Sequence, residues 1–467
     1  MSIPTRFLFL FMLSGLAAGL SSQSFPGLST DNFGGVNTLL LNPANAAANR
    51  VGFEIHLASA SLGVANDYVG LEGYEDIDNL DWGNGLSRHP SDDNRLYTDV
   101  DVLGPSLLIG LGKKAGLGLV SRVRTVYDIE GFDGRLLEGL EDSFDELGDY
   151  TATLRDHRSG LHSWGELAAV LGVVLFDNGT STLKAGGAVK SLRGVGSVYT
   201  RSTSLDVEYD GSRERLTTRG DFTYGTTGDF DFEDAELDDQ LSYLTEPAGT
   251  GLGFDVGLAF EWRSEAPKPG RAYQPYRLRL GLSLTDVGSI SYDGGEEAAY
   301  VADAVIPTDD IEGEDLVDVL DRYYDGTYSD GPGNFQLPTA LNLQADVRLA
   351  GKLYVAALAR TPMGGSDGDP GSTVQTTLTV VPRLETKWLS LYAPARFGGV
   401  EGTTVGAGLR LGFFTLGSTS VLSHLLTDTN YSVDVYAGVK VPFYRRSRLK
   451  EPLPEAEGIE SPVTKNF

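Results

Sequence analysis

"YRLRLGLSLT", residues 276–285, places Tyr276, Leu278, Leu280, Leu282 and Leu284 on one side of an extended chain and Arg277, Arg279, Gly281, Ser283 and Thr285 on the other. The period is two, so the stretch is a strand with one apolar face. The alternation returns in "GLGFDVGLAFEW" (251–262), where Leu252, Phe254, Val256, Leu258, Phe260 and Trp262 oppose Asp255, Gly257 and Glu261. It returns again in "LNLQADVRL" (341–349) and "VDVYAGVKVPF" (433–443), with weaker copies beginning near Val51, Val102, Gly116, Glu166, Ser181, Thr373 and Thr403. The 467 residues include 59 glycines, 21 tyrosines and 20 phenylalanines but only 3 methionines and no cysteine. That is a β composition held without disulfides, and it suits an exported bacterial envelope protein.

Alternation alone leaves open which face is wet, because a sandwich in water buries its apolar face and a membrane barrel turns it to lipid. Connection lengths separate the two. The pattern marks strands at 51–63, 101–112, 115–129, 161–177, 180–193, 196–210, 213–228, 250–264, 274–288, 336–350, 352–361, 373–384, 387–394, 402–411, 413–420 and 431–443. Every second connection is short: Lys113-Lys114, "DNGT" at 177–180, "DGS" at 210–212, "SEAPKPGRA" at 264–272, Gly351, Thr386 and Gly412. The long connections, 64–100, 130–160, 229–249 and 289–335, fall on the other side, as in outer-membrane barrels. These four loops carry 39 Asp plus Glu against 6 Lys plus Arg, a net −33 where the whole chain is −28. The acidity is therefore confined to the outward end. No linker or composition break interrupts the pattern before about residue 444. The expectation is an all-β fold, a transmembrane antiparallel β-barrel of 14–16 strands over residues 51–443, followed by a periplasmic tail, 444–467.

The chain begins with an export signal over 1–22: Arg6, an apolar core from Phe7 to Leu16, then Ala17, Ala18, Gly19, Ser21 and Ser22 at the cleavage region. Between it and the barrel, 23–50 contains the tripeptide Asn42-Pro43-Ala44. Such a tripeptide opens half-helices in aquaporin-like channels, but a spanning helix needs about 20 apolar residues. The longest later apolar run, "LAAVLGVVLF" at 167–176, is about half of that, and no second copy of the tripeptide follows it. Asn42 instead suits a cap, with Pro43 at the first position of a short helix.

Inward faces of the strands carry Glu54, His56, Arg122, Arg124, Asp255, Glu261, Arg277, Arg279, Asp346, Arg348, Arg410 and Lys440. This charged lumen points away from a purely hydrophobic ligand. Two acidic clusters, Asp309, Asp310, Glu312, Glu314 and Asp315, then Asp231, Glu233, Asp234, Glu236, Asp238 and Asp239, are expected to attract Ca²⁺ or Mg²⁺, which prefer oxygen ligands, and through them lipopolysaccharide phosphates. Amphipathic helices are expected over 136–150 and 314–324, within the outward loops. "SDGDPGS" at 366–372 lacks an EF-hand continuation and reads as a turn. None of His56, His89, His157, His162 and His424 forms a metal or catalytic motif, so no enzyme, cofactor or nucleic-acid partner is expected.

A short N-terminal segment ending in this tripeptide and passing straight into the first strand resembles the FadL/TodX family of outer-membrane hydrocarbon transporters. A closer resemblance is to a DUF family of outer-membrane barrels from Bacteroidota. It runs through "LLLNPANAA" (39–47), "NDYVGL" (66–71), "GPSLLIGLGKKAGLGLVSRVRT" (104–125), "RLGLSLTDVGSISY" (279–292), "LPTALNLQADVRL" (337–349) and "DVYAGVKVPF" (434–443). The resemblance implies 14 strands, with residues 23–50 as a plug inside the barrel, against 16 from counting strands; the short strands near 387–420 are where two would merge. It implies a channel or transporter for small molecules in the outer membrane. The alternative is an envelope scaffold or secretion-machinery component with protein partners, which the charged lumen and large loops favour. Relatives that continue into a peptidoglycan-binding domain differ from this chain, where about 24 residues follow the last strand.

Overall fold

The computed structural model describes residues 25–444 apart from 73–85, 142–143, 145–147, 228–245, 266–274, 312–315, 332, 365–373 and 428. Fourteen antiparallel strands close into one barrel. The first strand, β1 (Val51–Asn66), seals it by pairing with the last, β14 (Ser432–Tyr444). In order around the wall follow β2 (Asn94–Leu103 and Ser106–Leu111), β3 (Ala115–Phe132), β4 (Tyr150–Asp177), β5 (Ser181–Asp210) and β6 (Arg215–Thr227 and Gly249–Trp262). Next come β7 (Leu278–Tyr292 and Gly295–Pro307), β8 (Asp325–Asp330, Asn334–Gln336 and Ala340–Ala350), β9 (Leu353–Pro362) and β10 (Thr377–Glu385). The circuit ends with β11 (Leu389–Tyr392 and Ala395–Gly398), β12 (Thr403–Val405 and Ala407–Leu411) and β13 (Phe414–Ser418).

The count of sixteen fails in two places, neither of them near 387–420. Gly194-Val195-Gly196 is not a turn. Trp164 pairs with Gly194 and Ser163 with Gly196, so Val195 is the extra residue of a β-bulge, and β5 runs straight through for 30 residues. The two pieces of β6 share one partner strand: 215–227 pair with the far half of β5 and 249–262 with its near half. The chain leaves the wall at Thr227 and returns beside it at Gly249. One consequence is that the turn at 210–214 lies at the end of the barrel away from the other short turns, correcting its assignment.

Along β6, Leu252, Phe254, Val256, Leu258 and Trp262 are exposed while Gly253, Asp255, Gly257, Ala259 and Glu261 are buried. The apolar face looks outward and the polar face inward, the inverse of a protein in water. From Leu252 to Trp262 the strand rises about 33 Å, which at a tilt of about 40° covers about 25 Å, the height of a membrane-facing band. Phe176, Trp262, Trp388, Phe413 and Phe443 are exposed at the short-turn rim and supply an aromatic girdle there. No helix among the described residues is long and apolar enough to cross a membrane.

Helices form at Gly134–Glu141 and Leu316–Tyr323; the first does not reach the expected end at 150, because Tyr150 already begins β4. Leu136, Leu140 and Phe144 pack with Ala152, Leu154, Leu205, Val207, Tyr209 and Leu216. The loop-side ends of β4 to β6 thus have an apolar core of their own.

Candidate functional site

The candidate site is the lumen, and it is filled. Nearly every residue from Phe25 to Asn49 is buried, in two short helices, Pro26–Thr30 and Asn37–Leu41, and a 3₁₀ turn, Pro43–Ala46. Asn42 explains how the tripeptide works. Its Oδ1 accepts from the Ala44 N–H at 2.9 Å, capping the turn, while its Nδ2 donates to the carbonyls of Leu258 on β6 and Leu282 on β7, at 2.9 and 3.3 Å. The turn lies against a wall without side chains: a Cβ built on Gly116, Gly172, Gly186 or Gly257 would stand 2.0, 2.6, 2.3 or 2.2 Å from Ala46 O, Ala47 N, Ala44 N or Asn42 Oδ1. Glycine at these four inward positions lets backbone approach backbone.

Toward the short-turn rim the segment is tied down by charge. Asp31 meets Arg410 Nε at 2.8 Å, and Arg50 meets Glu385 at 2.8 Å. Asn32 donates to Glu385 and to Tyr276 Oη, and accepts from Arg279. Lys440 donates to the Phe33 carbonyl at 2.7 Å and pairs with Glu54 at 3.2 Å, whose other oxygen accepts from Val36 N–H.

On the loop side of the segment lies a layer of buried ion pairs. Arg124 on β3 reaches Asp286 on β7 at 2.9 Å; three strands separate these two in the wall, so the pair crosses the lumen. Lys190 sits among Asp255, Asp286 and Glu166 at 2.8, 2.5 and 3.7 Å, and Arg122 holds Asp101 through two nitrogens. At the opposite, short-turn end, beside Asn32 and Arg50, Glu261 takes Lys184, Arg263 and Arg279 at 2.7, 2.7 and 3.0 Å, and Arg383 takes Asp346 and Glu385 at 2.6 and 3.0 Å. Beyond the Arg124 layer toward the loops comes an aromatic one: Arg124 stacks over Trp164 at 4.8 Å, and Trp164, Tyr292 and Phe335 surround His162, whose Nε2 is 2.9 Å from Tyr292 Oη, with Tyr199 against Phe335.

Of the charged residues expected inside, Glu54, Arg122, Arg124, Asp255, Glu261, Arg279, Asp346, Arg410 and Lys440 are brought into these contacts, and His56 is buried beside Ser59. Arg277 is a correction. The ladder of β7 begins at Leu278, so Tyr276 takes the inward place and Arg277 lies exposed, donating to the Leu349 carbonyl at 2.9 Å. Arg348 is half-buried near the short-turn rim and donates to the carbonyl of Gly351. Asp101, Glu166, Lys184, Lys190, Arg383 and Glu385 were not singled out in the sequence, although they obey the same two-residue alternation. Asp286 carried no such signal: it is carried on a left-handed backbone, φ 59°, where β7 bulges opposite Asp255.

Asp309 and Asp310 lie in a 3₁₀ turn, with Asp310 accepting from the Tyr323 hydroxyl. Glu312, Glu314, Asp315, the cluster at 231–239 and the stretch 366–372 lie outside the described residues. Among the described residues no group of three or more acidic or histidine side chains is placed to hold a metal ion.

The sequence profile described as "Family of unknown function (DUF5723)" matches residues 43–418. No curated protein matches by sequence. Among solved structures, the P. putida toluene transporter TodX is similar at 10% identity over 88% of this chain and 95% of that one, with a TM-score of 0.45. The Ralstonia pickettii toluene transporter TbuX is similar at 11% identity over 91% and 99%, TM-score 0.43. The translocator domain of the autotransporter NalP from Neisseria meningitidis is similar at 8% over 83% and 88%, TM-score 0.30.

Proposed function

We propose that this chain, which belongs to the DUF5723 family of unknown function, is an outer-membrane barrel that passes small polar solutes when its N-terminal segment is displaced. The observation that supports it is the division of labour inside the barrel. Beside an apolar patch, where Leu103, Leu108, Val120 and Val170 pack on Phe25, Leu28, Val36 and Leu39, the wall around the segment is lined with charged and hydrogen-bonding groups, whereas the closure is a separate stretch of chain joined covalently to the wall only at β1. Its anchors, Arg410 to Asp31, Arg50 to Glu385 and Lys440 to Phe33 O, are polar contacts that water can replace, and each such exchange costs little net free energy. A hydrocarbon would have to pass Arg124, Lys190 and Asp286, and desolvating those groups is costly.

Planar-bilayer recording of the intact chain beside a deletion of residues 25–47 tests this. The intact barrel is expected to be closed and the deletion to conduct ions. The second reading, a sealed scaffold for envelope partners, rests on the ion pairs that cross the lumen above the segment. It stands instead if a folded, membrane-inserted deletion variant conducts no better than the intact chain.

A further inference from the structure

We infer that the closed barrel contains a binding site for a small monovalent anion, centred on Arg360. Between the N-terminal segment and the charge layer lies a cavity of about 60 Å³, bounded by Ser29 and Leu40 on one side and by Asn342, Leu358 and Arg360 on the other. This is room for about four waters.

Arg360 is the cation in this part of the lumen that lacks a direct partner. Its guanidinium makes neither a hydrogen bond nor an ion pair among the described residues, and its Nε is enclosed with no acceptor. The group carries five N–H donors and stays charged in proteins; the residue is half-buried, and enclosing its Nε without an acceptor is costly. The acid on the cavity lining is committed elsewhere. Asp286, which lines the same cavity, is held by Lys190 at 2.5 Å and Arg124 at 2.9 Å. Arg122, the other cation on the lining, is already matched by Asp101. Asp99 and Tyr97, from β2, act on Arg360 through space without touching it.

What Arg360 lacks is an acceptor and not a field, since Asp286 and Asp99 already act on it through space, so the anion that fits carries the least charge. The cavity admits formate or nitrate and is too small for gluconate, and its apolar side, Leu40 and Leu358, favours weakly hydrated anions over sulfate. The site needs no conduction, so it stands or falls separately from the transport reading.

The test uses the purified full chain, folded in detergent, with ¹³C-formate as the probe. Saturable broadening of the formate resonance is expected, displaced by nitrate and not by gluconate at equal ionic strength. R360Q should weaken the apparent affinity at least tenfold, while R348Q, whose guanidinium lies near the short-turn rim, leaves it unchanged. Absence of saturable broadening, displacement by gluconate as readily as by nitrate, or equal affinity in R360Q overturns the site. If R360Q does not fold, the competition between nitrate and gluconate on the natural chain decides alone.

Discussion

The two halves of the longest strands are built on opposite rules. Near the short turns, β5 buries Lys184 and Lys190 and exposes Val189, and β4 buries Glu166 and exposes Leu167 and Leu171. Near the loops, β5 buries Leu205, Val207 and Tyr209 and exposes Asp206 and Glu208, while β4 buries Ala152 and Leu154 and exposes Thr151 and Arg155. What changes is the medium outside. On the outer-membrane reading proposed above, the first half faces hydrocarbon, so apolar side chains are free to point out and polar ones must find partners within. The second faces water, and the hydrophobic effect folds it as it would any sheet, under a cover of short helices. Alternation with a period of two is common to both halves and cannot tell them apart. The bulge at Val195 lies between the two halves of β5 and changes which alternate residues point inward beyond it.

The largest expected difference between the halves concerns ion pairs. Arg383 is fully buried against Asp346 and Glu385 and also donates to Tyr276. Arg383→Met leaves two carboxylates enclosed with one cation fewer, and should lower unfolding stability by about 3–5 kcal/mol. The loop-side pair Arg158 with Glu130, at 2.5 Å, has side chains 42% and 41% exposed, and Arg158→Met should cost under about 1 kcal/mol. Urea titrations of the two variants in the same detergent measure both; equal losses would mean that the lumen is wet enough to screen its charges.

This contrast also marks what could be read in the chain. The barrel and its charged lumen follow from alternation, a local property. Strand number did not follow, because Gly194-Val195-Gly196 looks like a turn until the pairing of Trp164 with Gly194 shows the chain passing through. The seat of the Asn42 turn was equally hidden: Gly116, Gly172, Gly186 and Gly257 come from four consecutive strands, and only the register that pairs Gly116 with Gly172, Gly172 with Gly186 and Gly186 with Gly257 lines them up in one row. Arg360 lies in a strand of ordinary pattern, and its lack of a partner is a property of its neighbours in space.

A smaller effect is expected on the outer surface. Leu171 is 49% exposed within the apolar band, and Leu171→Arg places a charge in hydrocarbon at a cost of about 2–4 kcal/mol. Glu208→Arg, on an exposed position of the loop-side half, should stay within about 0.5 kcal/mol of the natural chain. Heat-dependent gel mobility after refolding into lipid vesicles compares them. If Glu208→Arg proves as damaging as Leu171→Arg, the loop-side half is also immersed in the membrane and the proposed change of medium along the strand is wrong.

The smallest expected effect is a pH dependence confined to the loop-side half. His157, on β4 beyond the apolar band, sits with Nδ1 3.1 Å from the Glu130 carbonyl and Nε2 3.1 Å from Thr200 Oγ1. The carbonyl can only accept, so Nδ1 carries the proton and Nε2 accepts from the threonine hydroxyl. Burial disfavours the charged ring and lowers its pKa from 6.5 to about 4. The folded state therefore binds fewer protons than the unfolded one between these values. The stabilisation is fully present above pH 6.5 and is lost as pH falls toward 4, about 2 kcal/mol of it between pH 7 and pH 5. Limited proteolysis of the loop-side strands should accelerate over that interval while the membrane-embedded half stays resistant. His157→Gln, which keeps a donor and an acceptor but does not titrate, should flatten the profile. An unchanged profile in that variant would place the pH sensitivity on another group and remove His157 from the contrast between the two halves.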